Sequence, residues 1–365
     1  MGYDILIAIY IISFSIISFY YIFFFLRLIR YKSENNLFKE PISIIICAKN
    51  EGKNINKRLK SILEQEYPIF EVIVVNDQST DNTKILLEDL ARKYHNLVIV
   101  NIDDNVNHKP GKKFALSLGI KSAKYEYLLL TDADCKSVSK DWVKIMSSNF
   151  NNSDIILGYS PYEKRNGLLN KIIRYDTFNT AQQYLSYSLA NKTYMGVGRN
   201  LAYRKSLFFE NKGFANHIHL PSGDDDLFIQ EVTTKDNTSI EIRKEAHITS
   251  EVIKSLRDWL YQRRRHITTS RLYKRKYKIL LFLYPFSQFI FWLNSILLIN
   301  LNINTIITLV SVKLFTSYII NYKTMKKLEV NDLYLLHPLY EILLIMVQLF
   351  FVLLNSINQP KKWLR

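Results

Sequence analysis

The sequence predicts an α/β domain with a doubly wound, mostly parallel sheet, held between membrane-embedding segments. Three observations carry this. Apolar, β-branched runs of strand length alternate with stretches of helical periodicity, which implies right-handed crossovers and parallel pairing. Successive strand runs end in acidic residues, as expected where a ligand site lies beyond the carboxyl edge of a sheet. Charge-free stretches crowd both ends of the 365-residue chain and leave a polar middle.

Taken in order, Ile5 to Leu26 carries no charge and exceeds the roughly 20 apolar residues that span a bilayer. Only Asp4 precedes it, whereas Arg27, Arg30 and Lys32 follow at once. The positive-inside rule therefore predicts an external N-terminus and a cytosolic chain from residue 30 onward. With no basic leading region and no small-residue cleavage site, residues 1–30 read as a retained anchor of a multi-pass protein of the cell (inner) membrane. Pro41 to Ala48 predicts the first strand, Lys49-Asn50-Glu51-Gly52 a turn, and Ile55, Leu59, Ile62 and Leu63 a helix. Glu71–Asn76 is the second strand, ended by Asp77; Asp81 is placed to cap the helix carrying Ile85, Leu86 and Leu90. Leu97–Ile102 is the third strand, and Pro110-Gly111-Lys112-Lys113 opens the next helix. Tyr125–Thr131 is the fourth, and its Leu128-Leu129-Leu130 suits a strand buried on both faces.

The domain is expected over residues 41–253, with a basic amphipathic segment over 254–278 and membrane helices over 279–365. Lys254 to Lys278 holds ten basic residues against Asp258 alone, and Ile279 to Val312 holds no charge. Two parsings follow. Ile279–Asn300 and Ile303–Tyr322 form two spans, with Lys313 in mid-bilayer, or Ile279–Gln288, broken at Pro285, lies in the interface before one span, Phe289–Val312. Leu333–Asn355 reads as a last span despite Glu341. The formal charge of +16 abuts these segments and reads as attraction to membrane lipid; no nucleic-acid motif accompanies it, so no nucleic-acid partner is expected. Two distant cysteines, Cys47 and Cys135, exclude a disulfide framework or a zinc site and suit a reducing compartment.

Asp132 and Asp134 stand at i and i+2 beyond the fourth strand, where two carboxylates can converge on Mg²⁺ or Mn²⁺ and leave positions for substrate phosphates. An EF-hand is excluded, because its third acidic position and its glycine are missing. The alternative is that both acids cap a helix starting near Ser139. Capping accounts for any one strand-end acid, yet poorly for Glu51, Asp77 and the Asp132/Asp134 pair together. Beside Lys109, Lys112 and Lys113, such acids suit a nucleoside and a metal, and the lysines a diphosphate.

The segments SIIICAKNEGKNI, VIVVNDQSTDNT, PGKKFALSLGI and the Asp-Ala-Asp of residues 132–134 occur in the order found in family 2 glycosyltransferases of GT-A fold, which residues 42–267 resemble. The resemblance implies an inverting transferase that uses a nucleotide-diphosphate sugar, a UDP-sugar foremost, with hexosyl or acetylhexosaminyl as the group moved. It implies Glu51, Asp77, Lys112 and Asp132 at the donor, and Asp134 with Asp132 on Mn²⁺ or Mg²⁺. MGVGRNLAYRK resembles the family's acceptor-side strand, with Gly196 and Gly198 leaving room for a sugar ring beside Arg199; a bulged strand is the alternative. Gly223-Asp224-Asp225-Asp226 resembles the general-base segment, pointing to Asp225 with Asp224 second. Gln262-Arg263-Arg264-Arg265-His266 is similar to the Gln-x-x-Arg-Trp motif of the membrane-bound branch, with His266 in place of Trp. Gln262 and Arg265 are expected at the site, Arg263 and Arg264 at lipid headgroups, and His247 as structural. The acceptor would be lipid-linked or membrane-proximal. A processive polysaccharide synthase, and a catalytically silent scaffold of the same fold, are the rival readings.

Overall fold

The computed structural model describes residues 2–34, 36–102, 112–220 and 222–357. Helix α1, Gly2–Phe19, runs on through a π turn at Tyr20–Phe25 into Leu26–Arg30. Strand β1, Ile42–Ala48, then leads through short helical turns to β2, Phe70–Asp77. There follow α2 (Thr83–Ala91), β3 (Leu97–Ile102), α3 (Lys112–Ser122), β4 (Tyr127–Asp132), β5 (Cys135–Ser137), α4 (Trp142–Ser147) and β6 (Ile155–Gly158). The second half holds α5 (Leu168–Leu189), β7 (Leu201–Arg204), α6 (Asp226–Val232), β8 (Thr238–Glu241) and β9 (Ile248–Ser250). Four helices close it: α7 (Leu256–Ser270), α8 (Arg275–Leu297), α9 (Ile303–Lys327) and α10 (His337–Ile357).

Seven strands form one sheet in the order β3-β2-β1-β4-β7-β6-β8. The first four are parallel, and β7 runs antiparallel between β4 and β6. The reason is visible in β1, β2 and β4, whose Val, Ile and Leu side chains are buried on both faces. Ile44, Ile46, Val72, Val74 and Leu129 enter one core, and Ile45, Ile73, Val75, Leu128 and Leu130 the other. Gly119 lets α3 lie close on the sheet, since a Cβ there would meet Ile45 Cγ2 at 2.7 Å. Register pairs Cys47 with Asp132 and Ala48 with Asn76, so the acidic ends of β1, β2 and β4 share one edge.

The second core continues without a break through α5 into α1 and the C-terminal helices. Tyr20 Oη donates to Leu280 O (2.7 Å), and Tyr10 stacks on Phe291 at 4.9 Å. On the sheet side Tyr31 Oη donates to Ile240 O (2.7 Å), and Arg174 of α5 forms a bidentate pair with Asp332 (2.8 and 2.7 Å). The apolar terminal helices are thus walls of the domain.

Among the described residues three helices are long and apolar enough to cross a membrane: Tyr3–Arg30, Arg275–Leu297 and Ile303–Lys327. A single span over Phe289–Val312 is overturned, because the chain turns between α8 and α9; Pro285 lies inside α8 and does not end it. Lys313 is buried as the two-span reading requires, its charge met by Glu341 of α10 and its ammonium 4.7 Å from the Trp292 ring. The last helix starts at His337, later than expected, and packs against α7 and α5 as well as α8.

Candidate active site

The β1 and β2 ends are fastened to each other first. Asn50, at a positive φ of 55°, accepts from the Thr80 amide (2.8 Å), and the Glu51 amide donates to Thr83 Oγ1 (2.9 Å). Glu51 and Asp77 are both buried here; Asn54 Nδ2 donates to Glu51 Oε2 (2.7 Å), and the Lys49 ammonium lies 3.6 Å from Asp77. Asp81 acts one residue earlier than a cap at the α2 start: it receives the Thr83 amide and hydroxyl and also the Gly52 amide, bracing both loops.

Beyond β4, the chain turns into β5 rather than a helix. Asp132 and Asp134 therefore do not cap the helix expected near Ser139; α4 begins only at Trp142. They line a cavity of about 1540 Å³ together with Lys112, Gly198, Arg199, Asp224, Asp225, Gln262, Arg265 and His266. Glu51, Asp77 and Gly196 do not line it. Lys112, at the start of α3, is hydrogen-bonded to Asp132 and lies 3.6 Å from Asp224, so one ammonium joins the strand-end acids to the second acidic cluster. That pairing holds Asp132 ionised, below the usual carboxylate range against the cost of its burial, and Lys112 well above the usual range for lysine. Asp134 is pushed up to about 6, by burial first and then by the charge of Asp132. The charges of Arg199 and Lys112 offset only part of this.

The second cluster is built by a loop and the start of α6. Gly223 adopts φ 104°, where an L side chain is strained and a Cβ would meet Leu227 Cδ1 at 2.7 Å. Asp225 then accepts from the Gly198 amide (2.9 Å) and the Asp226 amide (2.9 Å). Burial first, then the charges of Asp224 and Asp226, push the Asp225 carboxyl up to about 7. A carboxylate at that value is poised to take a proton near neutral pH. Asp226 borders the same cavity but is held by the C-terminal segment. Its Oδ2 receives Thr269 Oγ1 (2.5 Å) and Tyr273 Oη (2.7 Å), and burial raises it as well.

Several expectations are corrected. The acceptor-side strand begins only at Leu201; the Gly196 and Gly198 amides are spent on Asp225 and not on a neighbouring strand. Gly196 leaves no room for a sugar, since a Cβ there would meet Leu201 at 2.9 Å, whereas Gly198 faces Asp225 and Lys112. Arg199 belongs with the strand-end acids: it donates to Ser250 Oγ (2.8 Å), lies over the Tyr162 ring at 4.6 Å, and its charge acts on Asp132 and Asp134. Lys113 does not reach toward a diphosphate but donates to His217 O (2.5 Å) from a buried position. Arg263 is not at headgroups either; it pairs with Asp176 of α5 (2.6 Å). Lys109, Pro110 and Gly111 lie outside the described residues. His247 is buried with Nε2 3.0 Å from Ile242 O, a structural role. Cys47 and Cys135 are both free thiols.

Gln262 accepts from Tyr162 Oη (3.3 Å), and Arg265 Nε is a buried donor that meets no acceptor among the described residues. His266 is exposed within the cavity, 3.5 Å from Arg265. Sequence reasoning missed Asp176, Tyr162 and Tyr273. An acid within a helix and two tyrosines among 24 carry no pattern that marks them.

The donor set for a divalent cation fits. Asp132 and Asp134 supply hard oxygen ligands, and the raised Asp134 is the group a cation would return to its ionised form. Among the described residues no group of three or more His, Cys, Asp or Glu forms a cage, so the remaining ligands would be phosphate and water.

Stretches of the chain are similar to known proteins. A 136-residue stretch is 39% identical to the poly-β-1,6-N-acetyl-D-glucosamine synthase of Staphylococcus epidermidis, covering 36% of this chain and 31% of that protein. A 158-residue stretch is 31% identical to the synthase of the same name from Staphylococcus aureus strain COL, covering 41% and 37%. The chain thus spans about a third of the length of the curated relatives it matches. A mannosyltransferase from Pyrobaculum calidifontis, solved in complex with GDP-Man and Mn²⁺, superposes with a TM-score of 0.59 at 17% identity, over 93% of this chain and 98% of that one, a likeness of fold. Residues 43–210, a little under half of the chain, match the family described as glycosyl transferase family 2, and the fold is GT-A-like with apolar helices on both sides.

Proposed function

We propose that this protein is a membrane-bound inverting glycosyltransferase that moves a sugar from a nucleotide diphosphate to a hydroxyl of a lipid-linked or membrane-proximal acceptor. One observation carries the reading: Lys112 touches both Asp132 and Asp224, so the strand-end acids and the Asp225 cluster face one cavity. Asp225 takes the proton of the acceptor hydroxyl as the oxygen attacks the anomeric carbon, and the bond to the diphosphate breaks on the opposite face. Gly198 N–H and Asp226 N–H fix the carboxylate for that attack. Lys112, Arg199 and Arg265 hold the diphosphate, and the unmatched Nε–H of Arg265 is the donor best suited to it. A Mn²⁺ or Mg²⁺ on Asp132 and Asp134 would neutralise charge on the departing diphosphate. Glu51 and Asp77, on the same edge outside the cavity, are assigned to the nucleoside.

Arg27, Arg30 and Lys32 after the first span and the basic stretch before α8 support a catalytic domain on the cytosolic side of the cell membrane, where nucleotide sugars are made. The names of the staphylococcal relatives favour N-acetylglucosamine as the first sugar to try. They also support a second reading, processive synthesis of a polysaccharide; the replacement of Trp by His266 removes an indole on which an acceptor sugar would stack. Full-length protein in nanodiscs, given UDP-N-acetylglucosamine, UDP-glucose or GDP-mannose with Mn²⁺, Mg²⁺ or chelator, should release the nucleotide diphosphate from one donor, most strongly with metal. Product length separates single transfer from polymerisation. No turnover of, and no binding to, any nucleotide sugar would make the chain a silent scaffold.

A further inference from the structure

The cavity does not stop at the carboxylates. Past α7 it continues by Arg271 and Lys278 to Phe282, Pro285 and Phe286 on α8, and to Ile345 and Leu349 on α10. On each helix these positions recur at intervals of three to four residues, so they form one face. Phe282 and Phe286 stack at 5.0 Å, and Phe282 is 61% exposed although it borders the cavity. From Lys278 to Phe286 this wall runs about 12 Å at 1.5 Å per residue. Apart from the Gln348 amide, rings, a proline and branched chains give glycan hydroxyls no partners along this wall, yet they suit a hydrocarbon chain. The two cations stand where such a groove meets the polar half of the same cavity, and a phosphate is their complement. Both helices belong to the region that enters or borders the bilayer, so a chain in this groove is reached from the membrane.

We infer that the groove between α8 and α10 takes the hydrocarbon chain of a phosphate-bearing lipid acceptor, with Lys278 and Arg271 on its phosphate and its sugar hydroxyl delivered to Asp225. This rests on the transferase reading and names its acceptor class. A growing polysaccharide is the occupant it argues against.

The test uses the full chain in nanodiscs of neutral phospholipid and hexadecyl phosphate bearing a diazirine at the chain end. After irradiation, peptide mapping should place label on 282–286 and 345–349. Unlabelled hexadecyl phosphate should reduce it at least fivefold, and a neutral diazirine-hexadecanol should not concentrate there. Lys278→Gln should lower the labelling severalfold, and Leu349→Trp, which fills the groove, should move it elsewhere. Phe315→Trp, at an exposed position of α9, should leave it unchanged. Label spread over α1, α8 and α9 in proportion to lipid exposure would overturn the site, as would competition by a β-1,6-linked N-acetylglucosamine tetramer in place of the lipid phosphate. Nucleotide-sugar turnover is read on the same samples. Turnover with scattered label removes the lipid site and keeps the transferase; focused label without turnover keeps the site and removes the transferase.

Discussion

Replacing Asp225 by Asn should cripple transfer and yet stabilise the protein above neutral pH. The Asp225 carboxyl is held at about 7 in the fold against an ordinary 3.8, through burial and then through Asp224 and Asp226. Because the folded value lies above the unfolded one, the unfolded chain ionises first as pH rises. Stability therefore falls between about pH 4 and pH 7, and the loss is complete above pH 7. A displacement of that size corresponds to about 4 kcal/mol at ~1.36 kcal/mol per tenfold. Cavity solvent at Asp225 screens part of it, so about 1–3 kcal/mol is the expected penalty at pH 8, of which about a third has developed by pH 5. Asn escapes that penalty but can accept only one of the two amides of Gly198 and Asp226, at a cost of about 1 kcal/mol. The variant should then match or fall below the parent in thermal midpoint at pH 5 and exceed it at pH 8. Turnover should drop by about 10²–10⁴-fold with donor affinity kept, the range for a positioned base. Thermal unfolding of both proteins in one detergent across pH 5–8, with donor binding measured alongside, reads all of this. A variant less stable than the parent by the same amount at every pH would mean that Asp225 is an ordinary carboxylate and no base.

Asp134→Ala should remove the divalent-cation dependence of donor binding and weaken that binding at least tenfold; unchanged Mn²⁺ dependence in a calorimetric titration would take the cation away from Asp134. Tyr273→Phe should leave donor affinity intact but lower kcat and move the pH–rate midpoint downward, since Asp226 loses a hydrogen bond to its charged form, stays protonated to higher pH and repels Asp225 less; a pure loss of stability with an unmoved pH profile would limit Tyr273 to a structural role. A fragment of residues 41–253 should fail to give a cooperative thermal transition, whereas the full chain shows one by the same circular dichroism measurement. A folded fragment that binds a nucleotide sugar as the full chain does would contradict the coupling described below.

How much of this could be read in the sequence follows from range. Strands β1 to β4 announce themselves because each is a local run of β-branched or leucine side chains; β1, β2 and β4 are buried on both faces, and the edge strand β3 is half-buried. Asp132, Lys112 and Asp225 are legible for the same reason, each inside a short ordered motif. What stays hidden is pairing across the chain. Nothing near Arg263 says that its partner is Asp176, 87 residues away, so a basic run beside a membrane segment reads as headgroup contact. MGVGRNLAYRK looks like strand throughout, and only Asp225, brought from a later segment, shows why its glycines are coil. Lys313 looks prohibitive in a span until Glu341 is placed beside it.

Those long-range pairs also decide where the catalytic unit ends. Sequence composition draws the boundary at residue 253, but the fold does not respect it. Asp226 adjoins the proposed base and is buried, and the two hydroxyls that satisfy it, Thr269 and Tyr273, belong to α7 and the turn into α8. Cutting at 253 leaves that carboxyl without either, at about 1–3 kcal/mol for each buried group deprived of its partner. The same cut takes Asp332 from Arg174, whose side chain is 3% exposed, and Arg263 and Trp259 from Asp176. A buried charge stripped of its partner costs about 3–5 kcal/mol, and two such losses rival the whole stability of a typical domain. Asp225 is therefore positioned through its neighbour by the apolar C-terminal segment, which on the proposed reading ties the base to the membrane that supplies the acceptor.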